Sequence, residues 1–221
     1  MMKNKLLTLV LATFSVAAWG QQEKGTWTAQ MKAGLNMAGF TSYEFNYHNG
    51  GDAQADPRYA MHAGIEVEYQ LTEKLGCVVG AQYSMQGDRE KLNDGSRLKM
   101  TNKFDYINVP ILAKCYVAKR LALKVGLQPS FKVRSDYEID SPSSISWFGG
   151  GGSFSDLGIN VRKFDLAIPF GISYEFASVS SNCIVLEARW NYGLLKVAKA
   201  YEGKSPRNLV FQLSLGYKFP L

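Results

Sequence analysis

The residues with the strongest claim on chemistry are charged ones that recur at alternate positions along otherwise apolar stretches. They are Lys32, Glu66, Glu68, Lys114, Lys124, Lys132, Arg134, Asp165, Glu175, Glu187, Arg189 and Lys218. A charge held away from water is retained only when it is paired and hydrogen-bonded. A set of such mixed sign therefore predicts an internal salt-bridge network. Glu187 and Arg189 share a face, and the like-charged Glu66 and Glu68 need Lys or Arg beside them. The functional alternative is a narrow ion path or a proton-linked gate through the same groups.

Other chemistry is thinly supplied. The two histidines are His48, amid Asn46, Tyr47 and Asn49, and His62, on the face that carries the charges. A hydrolase would set a Ser beside such a His with a carboxylate behind it. Ser84 and Glu66 are nominal partners, but nothing in their spacing supports a triad, and His62 reads as an ordinary inward histidine. No His/Cys cluster has metal-ligand spacing, and no cofactor motif is present. The Gly149 to Gly152 run lacks the Lys-Ser/Thr of a phosphate loop and reads as a flexible loop tip. No enzymatic activity is expected.

The elements that must position the charges are strands, because a strict period of two puts successive side chains on opposite faces. The hairpin Phe104 to Phe131 shows this best. Ile107, Val109, Ile111, Ala113, Cys115 and Val117 oppose Asn108, Pro110, Lys114 and Tyr116; after Lys119-Arg120, Leu121, Leu123, Val125, Leu127, Pro129, Phe131 and Val133 oppose Lys124, Gly126, Gln128, Ser130, Lys132 and Arg134. The same alternation recurs over 27–37, 59–71, 75–86, 164–176, 184–193 and 209–219, which makes eight segments. Arms of about a dozen residues, at about 3.3 Å each and tilted, cross the roughly 25 Å apolar band of an outer-membrane barrel. Ordinary strands have roughly 5 or 6 residues.

The polar faces also carry Gly34, Gly64, Gly80, Gly126, Gly171, Gly193 and Gly216. An eight-stranded barrel has a lumen only wide enough to be filled by side chains, so small residues belong inside. The reversed register would put Lys32, Lys114, Lys124 and Arg189 into hydrocarbon at up to about 2–4 kcal/mol each. A soluble lipocalin-like barrel is the competing all-β solution, with its apolar face inside. It predicts neither a Gly-lined polar face nor aromatic girdles. Short turns (72–74, 118–120 and 177–182) alternate with long polar loops, as in a barrel with both termini periplasmic. That orientation places Trp27, Tyr69, Tyr174, Phe176, Tyr217 and Phe219 near the periplasmic interface. It places Tyr59, Tyr83, Phe131, Phe164, Trp190, Tyr192 and Phe211 toward the outer one, as aromatic belts require.

At the N-terminus Lys3 and Lys5 precede the apolar run Leu6 to Ala18, and Ala18-Trp19-Gly20 ends small. This is the pattern of a secretory signal peptide over 1–20, with a barrel domain over 21–221. An uncleaved anchor is the alternative, but the run is short for a span of roughly 20 residues. Loss of Lys3 and Lys5 takes the 25 basic residues to 23 against 19 acidic, lowering the net charge from +6 to +4. A balance that small and dispersed is no nucleic-acid footprint. The mean hydropathy of −0.14 decides nothing, since alternating faces cancel. Cys77, Cys115 and Cys183 make no disulfide framework; Cys77 and Cys115 are either bridged across neighbouring strands or small lipid-facing residues.

The sequence also resembles a known group, the small outer-membrane β-barrel proteins of Bacteroidota described as porin-family or PorT-like. The resemblance rests on Tyr106-Ile107-Asn108-Val109-Pro110-Ile111-Leu112-Ala113-Lys114, which is similar to the pattern YLxIPLLLK. Lys163-Phe164-Asp165 with Gly171, Arg189-Trp190-Asn191-Tyr192-Gly193-Leu194, and Leu213-Ser214-Leu215-Gly216-Tyr217-Lys218-Phe219 support it. It covers essentially the whole mature chain and departs where Pro220-Leu221 follow the Phe that commonly ends such barrels. The resemblance implies an integral outer-membrane protein of a Gram-negative cell and no single activity. A minority of the group resemble a component of a protein-secretion system.

The expectation is thus an all-β, eight-stranded antiparallel transmembrane barrel with a closed, charged lumen, serving envelope structure or surface binding through its outer loops. The runner-up is a scaffold within a secretion or envelope assembly, ahead of a narrow channel or a lipid-modifying enzyme. Loop contacts would come from Trp147, Phe148 and Phe154, in a Ser/Gly-rich segment, or these rings pack on their own loop. Lys196, Lys199, Lys204 and Arg207 fit lipopolysaccharide phosphates or a merely solvated loop. Partners are then outer-membrane lipid, lipopolysaccharide and an envelope protein, with no nucleic acid.

Overall fold

The structure is a computed structural model and describes residues 23–41, 53–92, 99–140, 150–153, 162–176, 182–196 and 207–221. In chain order the strands are β1 (Trp27–Thr41), β2 (Ala53–Gln70), β3 (Leu75–Leu92), β4 (Lys99–Asn108), β5 (Ile111–Ala118), β6 (Leu121–Asp140), β7 (Gly150–Ser153), β8 (Phe164–Glu175), β9 (Cys183–Gly193) and β10 (Arg207–Pro220). The described residues contain no helix. Every pairing is antiparallel, and β1 pairs with both β2 and β10, so the first and last strands meet and close the sheet. The ring runs β1-β2-β3, then β4 and β5 end to end, then β6-β8-β9-β10, a barrel of eight staves. A closed ring satisfies every backbone group internally, which hydrocarbon demands.

The fourth stave departs from the unbroken arm expected over Ile107 to Val117. It is interrupted at Val109-Pro110 because proline has no N–H for a ladder bond. The neighbours close the gap: the Gly80 amide donates to the Pro110 carbonyl at 3.0 Å, and the Val109 amide to the Pro129 carbonyl at 2.8 Å.

Burial is inverted relative to a soluble protein. Leu215 is 60% exposed and Met61 61%, whereas Lys114 and Arg189 are 0% exposed. The soluble-barrel alternative requires the opposite arrangement. Aromatic pairs mark the two rims of the apolar band. Trp27 stacks on Tyr69 at 4.6 Å and Tyr174 meets Phe176 at 5.0 Å near one end; Phe131 meets Phe164 at 5.5 Å and Trp190 meets Phe211 at 4.5 Å near the other. Glycine is required where strands and lumen side chains crowd. A Cβ on Gly126 would lie 2.0 Å from the Ile111 carbonyl oxygen, and one on Gly216 would lie 2.4 Å from the Gln30 side chain.

Beyond the outer girdle, among the described residues, β1 and β10 are paired out to Thr41 and Arg207, β2 and β3 out to Ala53 and Leu92, and β4 and β6 out to Lys99 and Asp140. The short β7 adds to the outer end of β6. Part of the Gly149 to Gly152 run, expected to be a flexible tip, is therefore strand. Its glycines leave the β6 backbone free to pair at Ile139, Glu138 and Tyr137.

A second correction concerns Arg134, which alternation assigned to the lumen together with Lys132. β4 and β6 slip by one residue between Asp105 and Tyr106, so that Asp105 faces Arg134 while Tyr106 faces Lys132. A one-residue slip moves everything beyond it to the opposite face. Lys132, on the near side of the slip, keeps the inward phase of Gln128 and Ser130 and is half-buried, whereas Arg134, beyond it, is exposed and paired with Asp136 at 2.5 Å. The projecting wall carries its own surface pairs, among them Lys103–Glu138, whose hydrogen bond and charge hold the Glu138 carboxyl below the ordinary carboxylate value.

Candidate functional site: the barrel lumen

The lumen is built from the inward positions of all eight staves, and its charges gather in two layers. Nearest the chain's C-terminus, β5 supplies Lys114 and Tyr116, β2 Glu68, β8 Glu175 and β10 Lys218. The Lys114 ammonium donates to Glu68 at 2.8 Å and to Glu175 at 2.7 Å, while that of Lys218 lies 2.9 Å and 3.0 Å from the same two carboxylates. The Tyr116 hydroxyl sits between them, 3.0 Å from Glu68 Oε1 and 2.8 Å from Glu175 Oε1, and accepts from Lys218 at 3.0 Å. The Tyr116 ring lies under Lys114, 4.5 Å from nitrogen to ring centre, an additional cation–π attraction.

The second layer joins Lys32 of β1, Glu66 of β2, Lys124 of β6, and Glu187 and Arg189 of β9. Glu66 receives Lys32 at 2.6 Å, Arg189 at 2.6 Å and Lys124 at 3.1 Å. Glu187 receives Arg189 at 2.6 Å, Lys32 at 3.1 Å and Lys124 at 2.5 Å. Each carboxylate thus bridges all three cations, and each cation bridges both carboxylates. Arg189 reaches the axis because it crosses the wall over Gly171, where a Cβ would lie 3.5 Å from its Cγ. Such a cage costs heavily in desolvation, and several hydrogen bonds per ion are the condition for retaining it.

Above the charge layers the lumen turns neutral and polar. Asn36 donates to Ser84 Oγ at 3.0 Å and accepts from Gln212 at 2.9 Å, and His62 Nε2 is 2.7 Å from Ser214 Oγ. Ser84 is thus bonded to Asn36, the Glu66 carboxylate is committed to cations, and the nominal His62–Ser84–Glu66 triad is not assembled. Asp165 is also set apart from the ion network. It accepts from Asn208 at 2.7 Å and from the Leu166 amide at 2.8 Å. Its stave position is the reason: on β8, Asp165 is about 30 Å of extended chain from Glu175 at about 3.3 Å per residue.

Near the outer mouth the buried Phe104 and Tyr106 pack with Phe40 and Tyr137, Phe40 and Phe104 having ring centres 6.0 Å apart. This aromatic cap escaped the sequence reading. Phe104 and Phe40 were legible as polar-phase positions carrying apolar side chains, but Tyr137 lies beyond the bulge, where phase no longer tells the face.

Cys77, Cys115 and Cys183 are free, half-buried thiols; Cys183 shares the inward phase of Val185 and Glu187 and stands opposite Lys218, whereas Cys77 pairs in register with Ala113 and Cys115 with Leu75, so those two outward thiols are offset along the ladder. Among the described residues no group of three or more His, Cys, Asp or Glu side chains could hold a metal ion. Residues 1–20, His48, the loop aromatics Trp147, Phe148 and Phe154, and Lys199 and Lys204 lie outside the described residues.

Comparison with solved structures returns barrels of low sequence identity. The attachment invasion locus protein Ail of Yersinia pestis, in complex with the heparin analogue sucrose octasulfate, is 11% identical, with 89% of this chain and 100% of that one covered and a TM-score of 0.44. The outer membrane protein OprG of Pseudomonas aeruginosa is 10% identical over 90% of this chain and 99% of its own, with a TM-score of 0.47. The outer membrane protein W of E. coli is 15% identical over 90% and 100%, with a TM-score of 0.40. Comparison with curated protein sequences gives no match. The family model described as "Outer membrane protein beta-barrel domain" matches residues 19–199, most of the chain. With a closed antiparallel ring, an apolar exterior and a charged interior already established, the chain belongs to the outer membrane protein β-barrel domain family.

Proposed function

We propose that this protein is a non-conducting outer-membrane barrel, inserted after cleavage behind Gly20, whose work is envelope structure or surface binding by its outer face. The carrying observation is the double ion layer: Lys114, Lys218, Glu68 and Glu175 below, and Lys32, Lys124, Arg189, Glu66 and Glu187 above, occupy a lumen that eight staves leave narrow. An ion crossing it would have to break charge-assisted bonds held at both faces of each layer. The fold alone assigns no ligand; the recognising surface is the outer face, where lipopolysaccharide or an envelope protein is met. The test is single-channel recording of the refolded mature protein, after heat-shifted gel mobility has established folding. Silence is expected from wild type. Reproducible current in wild type, altered by Lys114→Ala or Arg189→Ala, would overturn the closed-lumen reading.

A second reading, a scaffold within a secretion or envelope assembly of PorT-like type, is favoured by one feature. Among the described residues the β2-β3-β4-β6 wall stays paired well beyond the girdle residues Tyr59, Tyr83 and Phe131, a projection that lipid anchoring does not require. Crosslinking from Glu138 or Lys103 in intact cells tests it; recovery of one stoichiometric envelope protein supports assembly, and recovery of none supports the solitary barrel. N-terminal sequencing of the membrane-embedded form, with Gln21 expected first, tests the cleavage site.

A further inference from the structure

The two ion layers differ in balance. Below, Lys114 and Lys218 match Glu68 and Glu175. Above, the three cations Lys32, Lys124 and Arg189 share only the two carboxylates Glu66 and Glu187, leaving one positive charge uncompensated in a fully buried cage. Among the described residues no other carboxylate pairs with these three cations. Asp165 lies on β8 six residues beyond Gly171, the register partner of Arg189, about 20 Å of extended strand. The neighbouring His62 can only add positive charge. An uncompensated ion in a protein interior is far costlier than a paired one.

Independently of charge, Arg189 is not satisfied. Its Nη2 makes the bonds to Glu66 and Glu187, while Nε and Nη1, both buried, have no acceptor among the described residues. Its neighbours do not supply one: Gln212, opposite it in the β9–β10 register, and Asn191, two residues along the same face, each keep a buried carbonyl oxygen without a donor. Water would meet the hydrogen-bonding need of that guanidinium edge and leave the charge standing. A monovalent anion meets both.

We infer that the lumen holds one small inorganic anion, chloride or an ion of its size, against the free Nε–Nη1 edge of Arg189. The inference rests on the closed-lumen reading, since a conducting pore would exchange its counter-ions with bulk salt. The anion is a structural counter-ion that completes the upper layer, accompanied by waters on the carbonyls of Asn191 and Gln212.

The experiment measures thermal unfolding of the refolded protein at fixed ionic strength in chloride, bromide or gluconate, the last being too large to enter. A site filled to about a hundred times its dissociation constant favours folding about 100-fold, so midpoints in chloride and bromide should exceed that in gluconate. Gln212→Glu places a tethered carboxylate opposite Arg189; it should raise the gluconate midpoint and abolish the halide dependence. Equal wild-type midpoints in all three salts, or an undiminished halide effect in Gln212→Glu, would overturn the inference. Should that variant not fold, crystals of the wild type grown in bromide decide: anomalous density beside Arg189 supports the site, and its absence removes it. A current across bilayers would defeat the closed-lumen reading while leaving these results to stand or fall separately.

Discussion

Replacing Lys114 by Met is the sharpest test of the lower ion layer. The ammonium is fully buried and holds Glu68 at 2.8 Å and Glu175 at 2.7 Å. Without it, two carboxylates face only Lys218, and the layer goes from neutral to one net negative charge. Removing one member of a buried ion network costs about 3–5 kcal/mol, chiefly because the remaining charge is stranded. That is a large part of the roughly 5–15 kcal/mol that separates most folded proteins from unfolded ones. A second change, Glu175→Gln, returns the layer to neutrality with Lys218 and Glu68 still paired at 2.9 Å. The double variant should therefore recover at least about 1.5 kcal/mol relative to Lys114→Met, a coupling that only groups in contact display. Urea unfolding in lipid vesicles, followed by tryptophan fluorescence and by gel mobility, reads both values. If Lys114→Met lost less than about 1 kcal/mol, or if the two changes were additive, the layer would be hydrated and the argument from buried pairing would fail.

Other outcomes follow from the same geometry. Arg134→Ala, at an exposed residue that alternation wrongly sends inward, should leave the midpoint of the same urea titration unchanged, because exposed ion pairs contribute little. Gly126→Ala, whose Cβ would lie 2.0 Å from the Ile111 carbonyl oxygen, should prevent the heat-modifiable form from accumulating, whereas Gly39→Ala, with no atom within 4 Å of the added carbon, should fold normally. Phe104→Ala removes the centre of the aromatic cap, yet single-channel recordings should stay silent, because both ion layers lie beneath it. Oxidation should produce no intramolecular crosslink between Cys77 and Cys115, read as unchanged mobility on non-reducing gels after denaturation, because their ladder partners are Ala113 and Leu75.

The amino-acid sequence by itself determined the barrel and which face of it meets lipid. Alternation has a period of two with no room for ambiguity over a dozen residues, and charges such as Lys32, Glu66, Lys124 and Arg189 cannot face hydrocarbon, so local pattern and solvent chemistry settle the inside from the outside. What pattern cannot carry is register between staves. The one-residue slip at Asp105 and Tyr106 takes Arg134 out of the lumen, and Pro110 splits a stave that reads as continuous. Both depend on hydrogen bonding with a neighbouring strand, which no single segment encodes. Depth is equally tertiary. Asp165 has the same inward phase as Glu175 on one strand, but only the second meets Lys114 and Lys218, because ion pairing needs side chains from different staves at one height along the axis. The grouping of nine charges into a balanced layer and an unbalanced one, with one edge of Arg189 left bare, was decided by the closing of the ring. Only closure brings Lys32 of the first strand, Glu187 of the ninth and Lys124 of the sixth within hydrogen-bonding distance of one another's partners.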